Sequence, residues 1–266
     1  MFGTRHAIFI SNMFECKDIS ENTLKRVSTS VIEEVRIFIN NLQRRSSTEA
    51  ELEIRLGRYE NGRFISNIEE KSWQRLLESL ESHQARSSLF VNVNDWTEIV
   101  DWFFTINCDH GKVQMRSSRT VENDTMVRRH LIKKKISESV VGIIGDSQIT
   151  NAARVSFATE EDVTNNTNYQ LPPLVTTDSV RIKHRKTFQT AMWKVDMTKA
   201  WSGTHYSAVT KMRDGEEKNT CATFEVEIEC LDTMRYFNLK HHSNNYIAAS
   251  CLMKILGLLP PGSKIE

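Results

Sequence analysis

Little in this sequence would organise a fold from outside the polypeptide itself. Its five cysteines are an odd number with no C-x-x-C pair. That excludes a disulfide framework and a zinc site of the usual spacing, and points to a reducing compartment. No stretch approaches the roughly 20 apolar residues that a membrane span requires. The N-terminus offers only Ala7-Ile8-Phe9-Ile10 as an apolar run, with no cleavable signal pattern. A soluble nuclear or cytoplasmic protein is expected. A surplus of basic charge is also missing: Lys+Arg is 35 against 34 Asp+Glu. Binding of nucleic acid by bulk electrostatics is therefore excluded, and any phosphate contact must be local. The lone G-x-x-G from Gly142 to Gly145 is no phosphate loop, and no repeat, low-complexity run or second domain is visible. The 266 residues suit one domain, 1–266, with a modest apolar content of 39%.

What the chain does have is strict alternation. In Phe224-Glu225-Val226-Glu227-Ile228-Glu229-Cys230 the apolar residues fall on one strand face and three glutamates on the other. Glu51-Leu52-Glu53-Ile54-Arg55-Leu56-Gly57 repeats the pattern far upstream. Arg181-Ile182-Lys183-His184-Arg185 alternates with three cations on one face, and the following strand carries Lys194, Asp196 and Thr198 together. Two arrangements account for such strands. In one, an antiparallel sheet turns its charged face to water and its apolar face to a core. In the other, an antiparallel barrel of about eight strands turns the charged faces inward as a polar tunnel, with apolar faces outside under helices. The tunnel needs a ligand to justify buried charge. Three cations suit phosphate oxygens, and several carboxylates suit a hard divalent cation, Mg²⁺ or Mn²⁺. Like charges in a row on the acidic strand also predict that Glu227→Gln relieves repulsion and leaves stability unchanged or higher.

Around these strands, residues 21–43 and 68–83 read as amphipathic helices and 232–259 as mostly helical. Further strands are expected at 96–107, 112–121, 126–136 and 152–159, and a hairpin at 180–190 and 193–200. Residues 137–146 read as a short helix or loop, 165–173 as a surface loop and 212–220 as a charged loop.

E-x-E-x-R at Glu51 to Arg55, R-x-K-x-R at Arg181 to Arg185, D-x-T at Asp196 to Thr198 and E-x-E-x-E at Glu225 to Glu229 stand in the order found in one family. Over roughly residues 49–230 the chain resembles the triphosphate tunnel metalloenzymes. Within them it is similar to the metal-dependent mRNA 5′-triphosphatases of fungi, protozoa and large DNA viruses. The resemblance implies an α+β chain built on an eight-stranded antiparallel β-barrel with helices packed outside. It also implies hydrolysis of the γ-phosphate at the 5′-triphosphate end of nascent RNA, the first step of cap formation, and of nucleoside triphosphates with a divalent metal. It implies Glu51, Glu53 and Glu229 as metal ligands and Glu225 and Glu227 as the remaining acidic wall. Arg181, Lys183 and Arg185 would grip phosphates, Asp196 would orient a cation or water, and Glu160 would activate water. Arg116 and Lys133 are further phosphate ligands by resemblance, with Arg119, Lys134 and Lys135 as neighbours that a one-residue slip would exchange for them. Facing strands of opposite charge would keep most of the glutamates ionised. Two alternatives stand beside this reading: hydrolysis of inorganic polyphosphate or another small triphosphate, and a non-catalytic triphosphate-binding module. No K-x-D-G motif is present, so a separate guanylyltransferase is the expected partner, in the nucleus, or in the cytoplasm for a viral protein. No membrane partner is expected.

Overall fold

A computed structural model describes residues 50–85, 90–108, 111–122, 125–144, 152–165, 177–217, 221–233, 244–259 and 264–265, with isolated positions between 29 and 40. The period-two pattern is realised in eight long antiparallel strands. They are β1 (Ala50–Glu60), β4 (Thr97–Cys108), β5 (Gly111–Glu122), β6 (Thr125–Ile144), β7 (Ala152–Asp162), β8 (Ser179–Gln189), β9 (Trp193–Gly203) and β10 (Thr223–Cys230). Three short strands, β2 (Arg63–Ile65), β3 (Asn92–Val93) and β11 (Lys264–Ile265), are added to β1, β8 and β6. β1 pairs with both β7 and β10, which closes the order β10-β9-β8-β4-β5-β6-β7-β1 into a barrel. At the closing seam Glu53 lies opposite Glu229 and Arg55 opposite Glu227. The β1–β2 turn is Asn61-Gly62, both at positive φ, the pairing that a tight two-residue hairpin demands.

The apolar faces point out, and helices cover them. Helix α1 (Glu70–Gln84) lies over β10: the Trp73 indole packs tilted against Phe224, with ring centroids 5.4 Å apart, and donates to the Glu225 carbonyl at 3.1 Å. Leu76, Leu77 and Leu80 join Leu52, Ile54, Val226 and Ile228 in one buried cluster. Helix α3 (Asn244–Leu258) adds Leu252, Ile255 and Leu258 to it. A second cluster, of Trp102, Val180, Ile182 and Trp201, is closed by Val209 of the short helix α2 (Tyr206–Arg213). Each fully buried residue of this kind contributes about 1.5–3 kcal/mol, so the outward faces are as tightly specified as an ordinary core.

Some expectations need correction. Residues 137–144 are not a helix or loop but the continuation of β6. A bulge between Lys135 and Ser137 shifts the register, which is why the alternation broke down there. Before it the even-numbered Ile132 and Ile136 turn to the apolar exterior; after it the odd-numbered Val141 and Ile143 do. Residues 206–213 form α2, where no helix was expected. Most of the 21–43 helix lies outside the described residues, as do 166–173 of the expected loop and 234–243 of the C-terminal helical segment.

Candidate active site

The inward faces of the eight strands converge on a tunnel lined mostly by charged and polar side chains. Its larger chamber, about 1050 Å³, is bounded by Glu51, Asp101, Glu160, Lys183, Arg185, Lys194, Asp196, Glu227 and Glu229. A smaller one of about 320 Å³ carries Glu53, Lys135, Glu138, Arg154 and Arg181. Arg55, Arg116, Lys133 and Lys183 border both chambers and mark the waist.

Opposite charges are paired across the strands. The Lys133 ammonium bridges Glu51 at 2.8 Å and Glu53 at 2.9 Å. Arg55 pairs with Glu53 and reaches Glu227 at 3.4 Å. Arg185 donates to Asp196 at 2.8 Å and to Thr198 at 3.1 Å, and Thr187 donates to the other Asp196 oxygen at 2.5 Å. Lys194 holds Glu229 at 2.9 Å, Arg181 holds Glu225 at 2.5 Å, and Arg116 holds Glu160 at 2.7 Å. Lys183 pairs with Asp101, which also accepts from Ser118 at 2.5 Å.

The wall is not balanced everywhere. Burial pushes Glu227 up, but Arg55 and Arg185, with Lys133 and Lys194 behind them, outweigh it and hold the carboxyl well below the usual range. Burial raises Glu53, and the Glu227 charge adds to that against Arg55 and Lys133. Burial likewise pushes Glu229 up to about 7, with Lys194 opposing and Glu227 and Glu51 reinforcing. Opposite charge therefore favours the ionised form at Glu227, while burial and the neighbouring carboxylates work against it at Glu53 and, more strongly, at Glu229. On the basic side, burial lowers Lys183 to about 8; Asp101 works against it, while Arg185, Arg181 and Arg116 add to it. The expected gain from Glu227→Gln also needs correction. Attraction to two arginines exceeds repulsion at that position, so neutralising it removes stabilisation.

Carboxylate oxygens gather within 4.8 Å in two overlapping sets, Glu51–Glu53–Glu227 and Asp196–Glu227–Glu229. Glu227 belongs to both. An all-oxygen donor set with excess negative charge fits a hard divalent cation. Across the waist, the buried Nε donors of Arg116 and Arg181 have no hydrogen-bond partner in the wall, and an anionic ligand in the lumen would satisfy them.

Of the residues that the sequence singled out, Glu51, Glu53, Arg116, Lys133, Glu160, Arg181, Lys183, Arg185, Asp196, Glu227 and Glu229 line the two chambers, while Glu225 lines neither and is held by Arg181 behind the smaller one. The two ambiguities are settled by facing. Arg116 points in, whereas Arg119 points out over the Trp102 ring at 5.4 Å. Lys133 binds the acidic wall, whereas Lys134 is exposed and Lys135 sits at the smaller chamber with Glu138 at 3.0 Å. Asp101, 1% exposed, was missed. Its signal was the alternation of Ile99, Asp101 and Phe103 against Val100, Trp102 and Phe104, hidden in a strand that is apolar on both sides. Arg154 and Lys194 also belong to the lining. Lys194 shared an inward face with Asp196 in the sequence, while Arg154 stood alone in an otherwise uncharged run.

A family model described as "mRNA capping enzyme, beta chain" matches residues 45–256. No curated protein matches the sequence. Among solved structures, the RNA triphosphatase Pct1 of S. pombe superposes with a TM-score of 0.61 at 15% identity, covering 91% of this chain and 97% of that one. The same enzyme in complex with the Spt5 CTD gives 0.59 at 14% identity, covering 87% and 93%. The Mimivirus capping enzyme triphosphatase gives 0.54 at 13% identity, covering 87% and 98%. At these identities the structures show a shared barrel, while the family model spans most of the sequence, including all the inward-facing charged strands. The chain belongs to the mRNA triphosphatase family, that of the β chain of the mRNA capping enzyme.

Proposed function

We propose that this tunnel removes the γ-phosphate from the 5′-triphosphate end of RNA with Mg²⁺ or Mn²⁺ as cofactor. The observation that carries the reading is the polarity of the lumen, with carboxylate sets on β1, β9 and β10 facing Arg116, Lys183 and Arg185 across one chamber. A chain of phosphates with its counter-ion requires that division of charge.

Glu51, Glu53 and Glu229 would hold the metal, with Glu227 shared between the two oxygen sets. The cation would neutralise charge on the phosphoryl oxygens. The protein's own part is to align the triphosphate. Arg185, aimed by Asp196 and Thr198, gives a forked donor; Lys183, aimed by Asp101, gives a point charge; Arg116 and Arg181 give further N–H donors. Orientation of this kind contributes roughly 7–11 kcal/mol to a bimolecular step. Glu160 shares the larger chamber and is held at its place by Arg116, so it can position and deprotonate water. Glu225, which holds Arg181, would act by positioning that arginine. The product, a diphosphate-ended RNA, would pass to a separate guanylyltransferase, in the nucleus or, for a viral chain, in the cytoplasm. Nucleoside triphosphates are a second substrate class that the same chamber would admit.

The test is phosphate release from triphosphate-ended RNA, tripolyphosphate and ATP, with Mg²⁺ or Mn²⁺ and with EDTA. Metal-dependent release, with RNA showing the highest kcat/KM, is expected. Release from tripolyphosphate alone would move the protein to the small-triphosphate hydrolases, and binding without release would make it a sensor.

A further inference from the structure

The outer wall beside the larger chamber carries charge that the chemistry does not use. Arg119 of β5 and Arg128 of β6 are directly opposed across the two strands, on the exterior face. Both guanidinium groups lie over the Trp102 ring, at 5.4 and 5.5 Å. Tyr206 of α2 stacks beside Trp102 at 6.1 Å, is 40% exposed, and also lies under Arg119. No carboxylate pairs with either arginine among the described residues. Like charges directly opposite on neighbouring strands are destabilising. A single cation would suffice to cap the indole, so the second needs another reason. Position supplies it. Thr120 and Arg129, the sequence neighbours of this pair, line the larger chamber from the inside. The patch therefore stands on the outer side of the same wall, one residue along each strand from two side chains that line the larger chamber.

We propose that Arg119, Arg128 and Tyr206 form an exterior track for the single-stranded RNA that follows the triphosphate. The two guanidinium groups would take phosphates, and the exposed tyrosine face would take a base. The inference rests on the RNA triphosphatase reading, and takes the strand to leave the larger chamber on the side of Thr120 and Arg129. It also answers how a chain with a net charge of only +1 holds RNA, since the binding charge is concentrated at one place.

The test separates the track from the hydrolase. Binding of single-stranded RNA with a 5′-hydroxyl end is measured against salt for the wild type, Arg119→Gln/Arg128→Gln and Arg119→Lys/Arg128→Lys. Beside it, KM is measured for a long triphosphate-ended RNA and for a triphosphate-ended dinucleotide. Losing two phosphate contacts should weaken hydroxyl-ended RNA about tenfold and flatten the log–log salt slope by about 1.4, at roughly 0.7 per single-strand phosphate. KM should rise for the long RNA and stay unchanged for the dinucleotide, with the lysine variant in between. Wild-type-like RNA binding and an unchanged KM ratio in the glutamine variant overturn the proposal. A lower Tm with those two values unmoved does so as well, because the arginines then only cover Trp102. An acidic peptide competing for the patch while RNA binding stays intact assigns it to a protein partner instead. If the wild type binds hydroxyl-ended RNA through the patch yet releases no phosphate, the hydrolase reading fails and the track stands.

Discussion

Asp101→Asn is the most informative single change, because it acts on Lys183, the proposed phosphate-binding cation, without touching the carboxylate sets proposed to hold the metal. Lys183 is 7% exposed, and among the described residues it is paired with Asp101, against the charges of three arginines, Arg116, Arg181 and Arg185. An ion pair near a protein surface at about 4 Å is worth about 4 kcal/mol at an effective dielectric of 20, or roughly three pKa units. Removing it from a lysine already lowered to about 8 takes the ammonium below neutrality. The part of the stability loss that falls on Lys183 is capped, since Lys183 sheds its proton once its pKa passes below the ambient pH; the loss of the Asp101 charge beside Arg116 adds to it. The drop from about 8 to neutrality costs about 1–2 kcal/mol at pH 7, at about 1.4 kcal/mol per unit. That is well under the 3–5 kcal/mol of a broken buried pair whose survivor stays charged, a typical range of about that size. Activity has no such escape, because neutral lysine no longer attracts phosphate. The assay is the pH profile of kcat/KM, which reports the free enzyme. The wild type should lose activity as pH rises through about 8, and Asp101→Asn should move that limb to lower pH. Stability should run the other way. A lysine whose folded pKa lies below its unfolded value destabilises the fold fully below the folded pKa, and the penalty is relieved as pH climbs from about 8 toward the unfolded lysine's value. Superimposable alkaline limbs in wild type and variant would refute the assignment of Lys183 as a charged phosphate ligand tuned by Asp101.

Four further outcomes are expected. Glu227→Gln should lower Tm and abolish turnover, by up to about 3–5 kcal/mol at pH 7, because it strips a counter-charge from Arg55 and Arg185; unchanged melting would contradict the pairing. Glu51→Ala should eliminate the Mn²⁺-induced rise in Tm, which at a hundredfold excess over Kd is about 2.7 kcal/mol of linkage, and a retained shift would remove Glu51 from the metal set. Arg185→Lys should recover only part of the activity and tripolyphosphate inhibition lost in Arg185→Ala, since one ammonium cannot reach Asp196, Thr198 and a phosphate at once. Val226→Asp, at a position with 0% exposure beneath α1, should cost several kcal/mol and leave little folded protein on a soluble-expression and melting test.

Much of the site is a property of the linear chain. Period-two alternation decides which residues share a strand face, so Glu51/Glu53, Arg181/Lys183/Arg185 and Glu225/Glu227/Glu229 were bound to act together whatever the fold. The identity of their opposite faces, Leu52/Ile54, Val180/Ile182 and Val226/Ile228, decided that the charged side could only be lumen or solvent. Lumen rather than solvent was a tertiary decision, because closure depends on β1 meeting both β7 and β10, strands about a hundred or more residues away in sequence. Register is likewise a long-range matter. Lys133 rather than Lys134 faces in because of its pairing with Glu160, and the bulge after Lys135 then reverses the parity. Asp101 was silent in a run of aromatics until β8 placed Lys183 against it. The same holds for charge. No single strand says that Glu227 is ionised while Glu229 is pushed up to about 7, because burial and the neighbouring cations are contributed by several strands at once. Alternation is a local steric property of the extended backbone and survives in any context; electrostatic potential in a lumen is a sum over every strand that lines it, and exists only when the barrel is closed.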